Sequence, residues 1–309
     1  MFRITPSGWA GALVFAVAIL VLPTFASGQW VKIFTSTTCF IIAASGVAFM
    51  YARLGMVSLG QVALMGVGGW VMLRMNHAFS LPFETNLAVA GAVTLVFGWV
   101  LVLPALRMRG LYLALITLMA AGGLEVIFST FRLPNGGEGF WGVMPSVAAP
   151  FRRPAIATSD VGYLRYVIAV AFGGFLMIEL HRRLDPGRAW AMMRRSEAAA
   201  LASGVNVLYY KAWAFGLSGL LAGIAGGLLA GGLGLLDAAT FRASESIMLF
   251  ALAVVGGARF WLGAIIACVL YRVLPALFNN WGIDADITLV IFGAALLHAI
   301  ITAPDGLSG

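Results

Sequence analysis

The stretch Ala212-Trp-Ala-Phe-Gly216-Leu-Ser-Gly-Leu-Leu-Ala222-Gly-Ile-Ala-Gly-Gly227-Leu-Leu-Ala-Gly-Gly-Leu233 decides the fold. It carries no charge and no polar stripe, and it is long enough to cross the hydrocarbon of a bilayer, which takes roughly 20 residues. Runs of the same kind recur at 9–26, 34–50 and 87–106. Over 309 residues, 61% are hydrophobic and 10% charged, a balance no soluble surface tolerates. The chain therefore reads as an all-α polytopic membrane bundle forming one domain, 1–309. The longest polar interval, about 132–162, is a loop and not a second domain.

Candidate spans fall at about 9–27, 33–51, 57–75, 87–106, 111–131, 163–180, 211–233, 245–258, 260–278 and 285–303, giving eight to ten crossings depending on how short elements are counted. The eighth ends at Gly256-Gly257 and is too short to cross, so it reads as a half-helix or re-entrant element. Placing Arg3, Arg53, Arg107, Arg109, the run Arg182 to Lys211 and Arg259 on one side collects most of the 19 lysines and arginines there. That side is then cytoplasmic and holds both termini. The beginning, with Arg3, an apolar stretch and Thr24-Phe25-Ala26, also fits a cleaved signal peptide; a retained first span is preferred because more spans follow. No internal duplication is evident in the sequence.

Composition excludes several functions. The net charge of +7 lies in loops, where it sets orientation and does not call for nucleic acid. Cys39 and Cys268 sit inside apolar runs and read as small buried hydrophobes. The only lysines, Lys32 and Lys211, are not preceded by a phosphate-binding Gly-x-x-x-x-Gly, so no ATP site of that kind is present. His77, His181 and His298 are too dispersed to suggest a zinc cluster, and no cofactor or metal is expected on this chain. Ionisable groups read within spans are Glu125, Glu179 and His298. Each either pairs locally or takes part in coupling, and for Glu125, the deepest, both readings stand.

Between the sixth and seventh spans lies Arg182-Arg183-Leu-Asp185-Pro186-Gly-Arg188-Ala-Trp-Ala-Met-Met-Arg194-Arg195-Ser196-Glu197-Ala198-Ala-Ala200-Leu-Ala-Ser203-Gly204-Val-Asn206. It reads as two short helices, the first capped by Asp185 with Pro186 in its first turn, the second capped by Ser196 and ended by Gly204. An alanine-rich helix can seat closely in a partner's groove, with arginines at the rim. It can equally lie on anionic lipid.

The sequence from Arg195-Ser-Glu197-Ala-Ala-Ala200 through Gly204-Val-Asn206, followed by Lys211, Phe215, Ser218 and Ala222-Gly223-Ile-Ala225-Gly226, resembles the cytoplasmic coupling segment of the branched-chain amino acid ABC permease family. Gly55-Met-Val-Ser58-Leu-Gly60-Gln61-Val-Ala-Leu-Met65-Gly66 and Arg109-Gly110-Leu-Tyr112 through Thr117-Leu118 are similar to that family's early motifs, and Glu125 falls where it often has a glutamate. Gly136-Gly137-Glu-Gly139-Phe-Trp-Gly142 resembles the external loop of LivM-type subunits rather than LivH-type partners. Phe241 to Ile247 with Val255-Gly256-Gly257 is similar to its late element. The chain departs from the pattern at Leu201 and Asp305, where the family has arginine, at Arg259, where it has glycine, and in lacking the proline before Phe241.

The resemblance implies a permease subunit of an importer for branched-chain amino acids or similar small solutes such as amides and urea, in the bacterial inner membrane. It implies a second, LivH-like permease, two cytoplasmic ABC ATPases holding ATP and Mg, and a periplasmic or extracellular solute-binding protein. The coupling segment, about 182–210, would meet the ATPase through Arg194, Arg195, Glu197, Ala198, Ala200 and Gly204. Glycines at Gly60, Gly66, Gly68, Gly69, Gly223, Gly226, Gly227, Gly256 and Gly257 permit close packing, for which Gly223 to Gly227 offers a small-xxx-small face, or broken helices that line a path, the reading for Ser58 to Gly69 and Val255 to Gly257. The path candidates are Ser58, Gly60, Gln61, Gly66, Glu125, Gly256 and Gly257. A secondary carrier using Glu125 and His298 remains the alternative, and a membrane enzyme lacks any constellation of acid, base and nucleophile.

Overall fold

The structure is a computed structural model that describes residues 17–24, 28–79, 81–103, 108, 111–131, 151–257, 261–283, 287, 290 and 294. The helices are α1 (Gln29–Leu54), α2 (Gln61–Phe79), α3 (Phe83–Val102), α4 (Leu111–Thr130), α5 (Asp160–Arg183), α6 (Asp185–Arg195), α7 (Glu197–Ala202), α8 (Val207–Leu233), α9 (Ala243–Gly257), α10 (Trp261–Cys268) and α11 (Leu274–Asn280). A 3-10 turn, Ala238–Phe241, precedes α9, and a π turn, Val269–Val273, joins α10 to α11. Among the described residues all regular structure is helical, as lipid demands of a chain whose backbone must satisfy itself.

Six stretches are long and apolar enough to cross a membrane: Gln29–Leu54, Phe83–Val102, Tyr112–Thr130, Asp160–Arg183, Val207–Leu233 and Leu262–Asn280. They coincide with expected spans. The expected first and tenth spans, with His298, lie mostly or wholly outside the described residues, as do Arg3, Arg107, Arg109, the loop 136–142, Arg259 and Asp305. The chain is a multi-pass membrane protein.

Helices α1 and α8 are the centre. Within their apolar windows 83% and 89% of residues are buried, against 22–39% in the other four, whose outer faces are left for lipid or for neighbours. Glycine explains how α8 sits so deep. On it, Gly223 and Gly226 meet the backbone of α2 at Gly68 and Met65, and Gly219 meets the Thr94 carbonyl of α3, so that a methyl at any of them would overlap backbone atoms.

Two segments are not spanning helices at all. Leu54 ends α1 with Gly55 in the left-handed region (φ +68°), and residues 56–60 are non-helical. The chain reaches Gln61 beside Ala43, eleven residues or roughly 16 Å back along α1, which is near mid-depth. Helix α2 starts there and runs outward. From the opposite end, after Gly234 closes α8 (φ +71°), the chain turns inward through the 3-10 turn and starts α9 at the same level, because Ser246 reaches Val62. Thus 55–60 with α2 and 234–242 with α9 enter from opposite ends and meet in the middle, an inverted correspondence that the sequence does not display. The expected crossing at 57–75 is half a crossing, and the short eighth span is the half-helix expected of it.

Candidate functional site

At mid-depth the two half-helices are tied to one another and to α4. The backbone N–H of Leu59 donates to Thr117 Oγ1 (2.9 Å), that of Val62 to Ser246 Oγ (3.1 Å) and that of Ala243 to Glu125 Oε2 (2.8 Å). Each supplies an acceptor to a donor that no helix turn can satisfy, the condition for irregular backbone inside a membrane. Gln61 braces three helices: its Nε2 donates to the carbonyls of Ala43 (3.2 Å) and Ser218 (3.0 Å), and its Oε1 accepts from Ser218 Oγ (3.0 Å). Ser58 is 2% exposed in the same segment. Beside this junction Arg272, on the π turn, lays its guanidinium over the Phe40 ring at 4.3 Å.

At the end where the arginines gather, α6 and α7 form a platform. Helix α6 buries Trp190 against Phe49 (centroids 4.8 Å apart), its indole N–H donating to the Tyr210 carbonyl (3.0 Å). Arg194 donates to the carbonyls of Tyr51 (2.6 Å) and Ala52 (2.5 Å), the exposed end of α1, where a cation is favoured by the helix dipole. Ser196 caps α7 by accepting from Ala199 N–H (3.2 Å). Asp185 does not cap α6: it is the first helical residue, and the preceding Leu184 holds the cap position without a side-chain bond. Gly204 stops α7 at φ +80°, while Val205 N–H returns to the Ala200 carbonyl. Glu197 pairs with Lys211 of α8 at 2.7 Å, their side chains 22% and 6% exposed. The platform is thereby fixed to both central helices, and it turns Met192, Arg195, Ala198, Ala199, Leu201 and Ala202 outward.

The sequence model described as "Branched-chain amino acid transport system / permease component" matches residues 29–300. The chain belongs to this permease family. It is 27% identical over 318 aligned residues to the high-affinity branched-chain amino acid transport system permease protein LivM of Escherichia coli K12, covering 95% of this chain and 74% of that protein. To the autoinducer 2 import system permease protein LsrC of Enterobacter sp. strain 638 it is 27% identical over 303 residues, covering 92% and 83%. No solved structure matches.

The permease gathers Ser58, Gly60, Gln61 and Glu125 at the mid-depth junction, and Gly66 lies just above it. Their surroundings revise several expected roles. Gln61 has both its donors engaged within the chain, so it is a brace before it is a solute contact. Gly66 lies under the rings of Phe128 and Phe241, and Gly60 under the Thr117 carbonyl. Glu125 caps α9. Gly256 and Gly257 lie far from that group, at the α9–α10 turn, where Gly256 packs on the Gly263 carbonyl and Gly257 adopts φ +100°. Of the coupling residues, Arg195, Ala198 and Gly204 face outward, whereas Ala200 is fully buried and Arg194 and Glu197 are spent on the chain itself. Glu179 pairs locally with Arg182 and Arg183, the first of its two expected readings. The expected list leaves out Arg272, Glu245 and Trp190; Arg272 is visible in sequence as the single charge in the apolar run 261–280.

Proposed function

We propose that this chain is one of two permeases of an ATP-driven importer for small organic solutes, branched-chain amino acids and related molecules among them, in the bacterial inner membrane. The platform α6–α7 carries the proposal. An outward face of alanines, Leu201 and Met192 rimmed by Arg195 is suited to a groove on a partner. Behind that face, Arg194 and the Glu197–Lys211 pair connect it to the two helices at the centre of the bundle. Closure of two ABC ATPases holding ATP and Mg would shift the platform. The shift would reach α8, and through its glycine contacts α2 and α3, opening the bundle alternately to an external solute-binding protein and to the cytoplasm. On this reading the basic end and both termini are cytoplasmic, and a LivH-like second permease covers the outer faces that the single chain leaves exposed.

Affinity purification from the native host tests this. Wild type is expected to bring down an ABC ATPase, and Leu201→Asp with Ala198→Trp, which alter only outward-facing positions, is expected to lose it while the permease stays folded. Recovery of the wild-type chain alone, active for uptake in liposomes without ATP, would replace the importer with a secondary carrier.

A further inference from the structure

The basic end of the bundle gathers more positive charge than its own carboxylates balance. Arg182 and Arg183 share one of them, Glu179: Arg182 Nε and Nη2 reach its two oxygens at 2.6 and 2.5 Å, and Arg183 Nε reaches Oε1 at 2.7 Å. At the end of α1, Arg194 donates to the carbonyls of Tyr51 and Ala52, so its guanidinium lies beside the residue that follows them, Arg53. Arg53 in turn stands within electrostatic reach of Arg182, Glu179 and Arg194. Four guanidinium groups thus meet one carboxylate where α1, α5 and α6 pack together. The neighbouring acids are committed elsewhere, Asp185 to Arg188 (3.3 Å) and Glu197 to Lys211 (2.7 Å). Like charges held together in partly buried places favour an anion among them.

The same corner borders the lipid-facing side of α5. Arg165, Phe172, Leu176 and Leu180 are exposed at helical spacing along one face of that helix, and Arg183 continues the face on the turn after Leu180. Leu176 lies roughly 10 Å deeper than Arg183 along the axis, within the hydrocarbon when the arginine is at headgroup level. We propose that Arg53, Arg182, Arg183 and Arg194 form a binding site for the phosphate of an anionic phospholipid such as phosphatidylglycerol, with an acyl chain lying along Leu180, Leu176 and Phe172. Guanidinium forks match phosphate oxygens, and several share one phosphate. A zwitterionic phospholipid brings an ammonium of its own into a cluster that repels it. A phosphate held here ties the end of α1 to α5 and α6, the junction on which the platform is mounted. The inference goes beyond the importer reading and needs only that α5 crosses a membrane.

The test follows thermal unfolding of the full-length permease, purified in detergent with its partner subunits and stripped of lipid. Phosphatidylglycerol, phosphatidylcholine with the same chains, and glycerol 3-phosphate are added in turn. Phosphatidylglycerol is expected to raise the melting temperature more than phosphatidylcholine, and glycerol 3-phosphate, which has the phosphate without the chains, to raise it little. Arg53→Gln and Arg183→Gln should each raise the phosphatidylglycerol concentration needed for half the shift by about fivefold, while Arg53→Lys and Arg183→Lys keep most of the response. Arg165→Gln, on the same face at the opposite end of α5, should leave it unchanged. An equal response to phosphatidylcholine, a full response to glycerol 3-phosphate, an undiminished shift in both glutamine variants, or the same loss in Arg165→Gln would each overturn the site. The importer reading is judged separately, by whether ATPases co-purify in the same preparations.

Discussion

The two broken elements are built alike and held differently. Helix α2 is pinned along its length: Gly68 and Gly69 lie against the backbone of α8, and Gln61 ties its start to α1 and α8 at once. Helix α9 is shorter, lies against α1, α2 and α4, and makes its close backbone approach at its far end, to α10 through Gly256, Gly257 and Gly263. Its start is held by Glu125, which accepts from the Ala243 N–H, and by Ser246, which accepts from the Val62 N–H of α2. The start of α2 is thus braced by a side chain that reaches two other helices, whereas the start of α9 is held by single hydrogen bonds to α4 and α2.

The sharpest way to break the comparison is to spoil the pinned half. Gly226→Leu, or Gly68→Val, drives side-chain atoms into backbone of the facing helix, where nothing can rotate away. A loss above about 4 kcal/mol is expected, enough to abolish a monodisperse peak in size-exclusion chromatography. Next comes Gln61→Leu, which leaves the Ser218 hydroxyl and two carbonyls without their partner. It should cost about 1–3 kcal/mol, read as a lower melting temperature in detergent with the fold retained. The smallest effect on stability is expected from Glu125→Ala, about 1 kcal/mol for a lost helix cap. Its signature should instead be kinetic, as faster labelling of a cysteine placed at the exposed Ser244. If Glu125→Ala were as damaging as Gly226→Leu, the two halves would be equally held.

Much of this was legible in the sequence because hydropathy and length act locally. The six crossing stretches, the short eighth span, the Ser196 cap and the Gly204 stop all follow from residues near one another. The close packing of Gly223 and Gly226 was also legible, since only small residues let two helices touch. What distant residues supply was hidden. Nothing local tells that Glu125 would cap a helix starting 118 residues later, that Gln61 would brace Ser218, 157 residues away, or that Glu197 would be spent on Lys211. Arg272 stood in plain view, but a lone arginine in an apolar run reads the same whether it lies inside a span or marks a misjudged boundary. Only the Phe40 ring beneath it and the buried, unpartnered Nε separate the two.

The central claim is that the platform drives the bundle through Glu197 and Lys211. Its most direct test is solute uptake per ATP hydrolysed in proteoliposomes holding the assembled importer, for Glu197→Lys, Lys211→Glu and the two together. Each single change puts two like charges in the largely buried place where the native ion pair closes to 2.7 Å. The account predicts that both retain the ATPase but lose roughly tenfold or more in uptake per ATP, as expected from breaking a partly buried charged contact, and that the exchanged pair recovers most of it. Single variants that couple as well as wild type, or an exchanged pair no better than either, would contradict it.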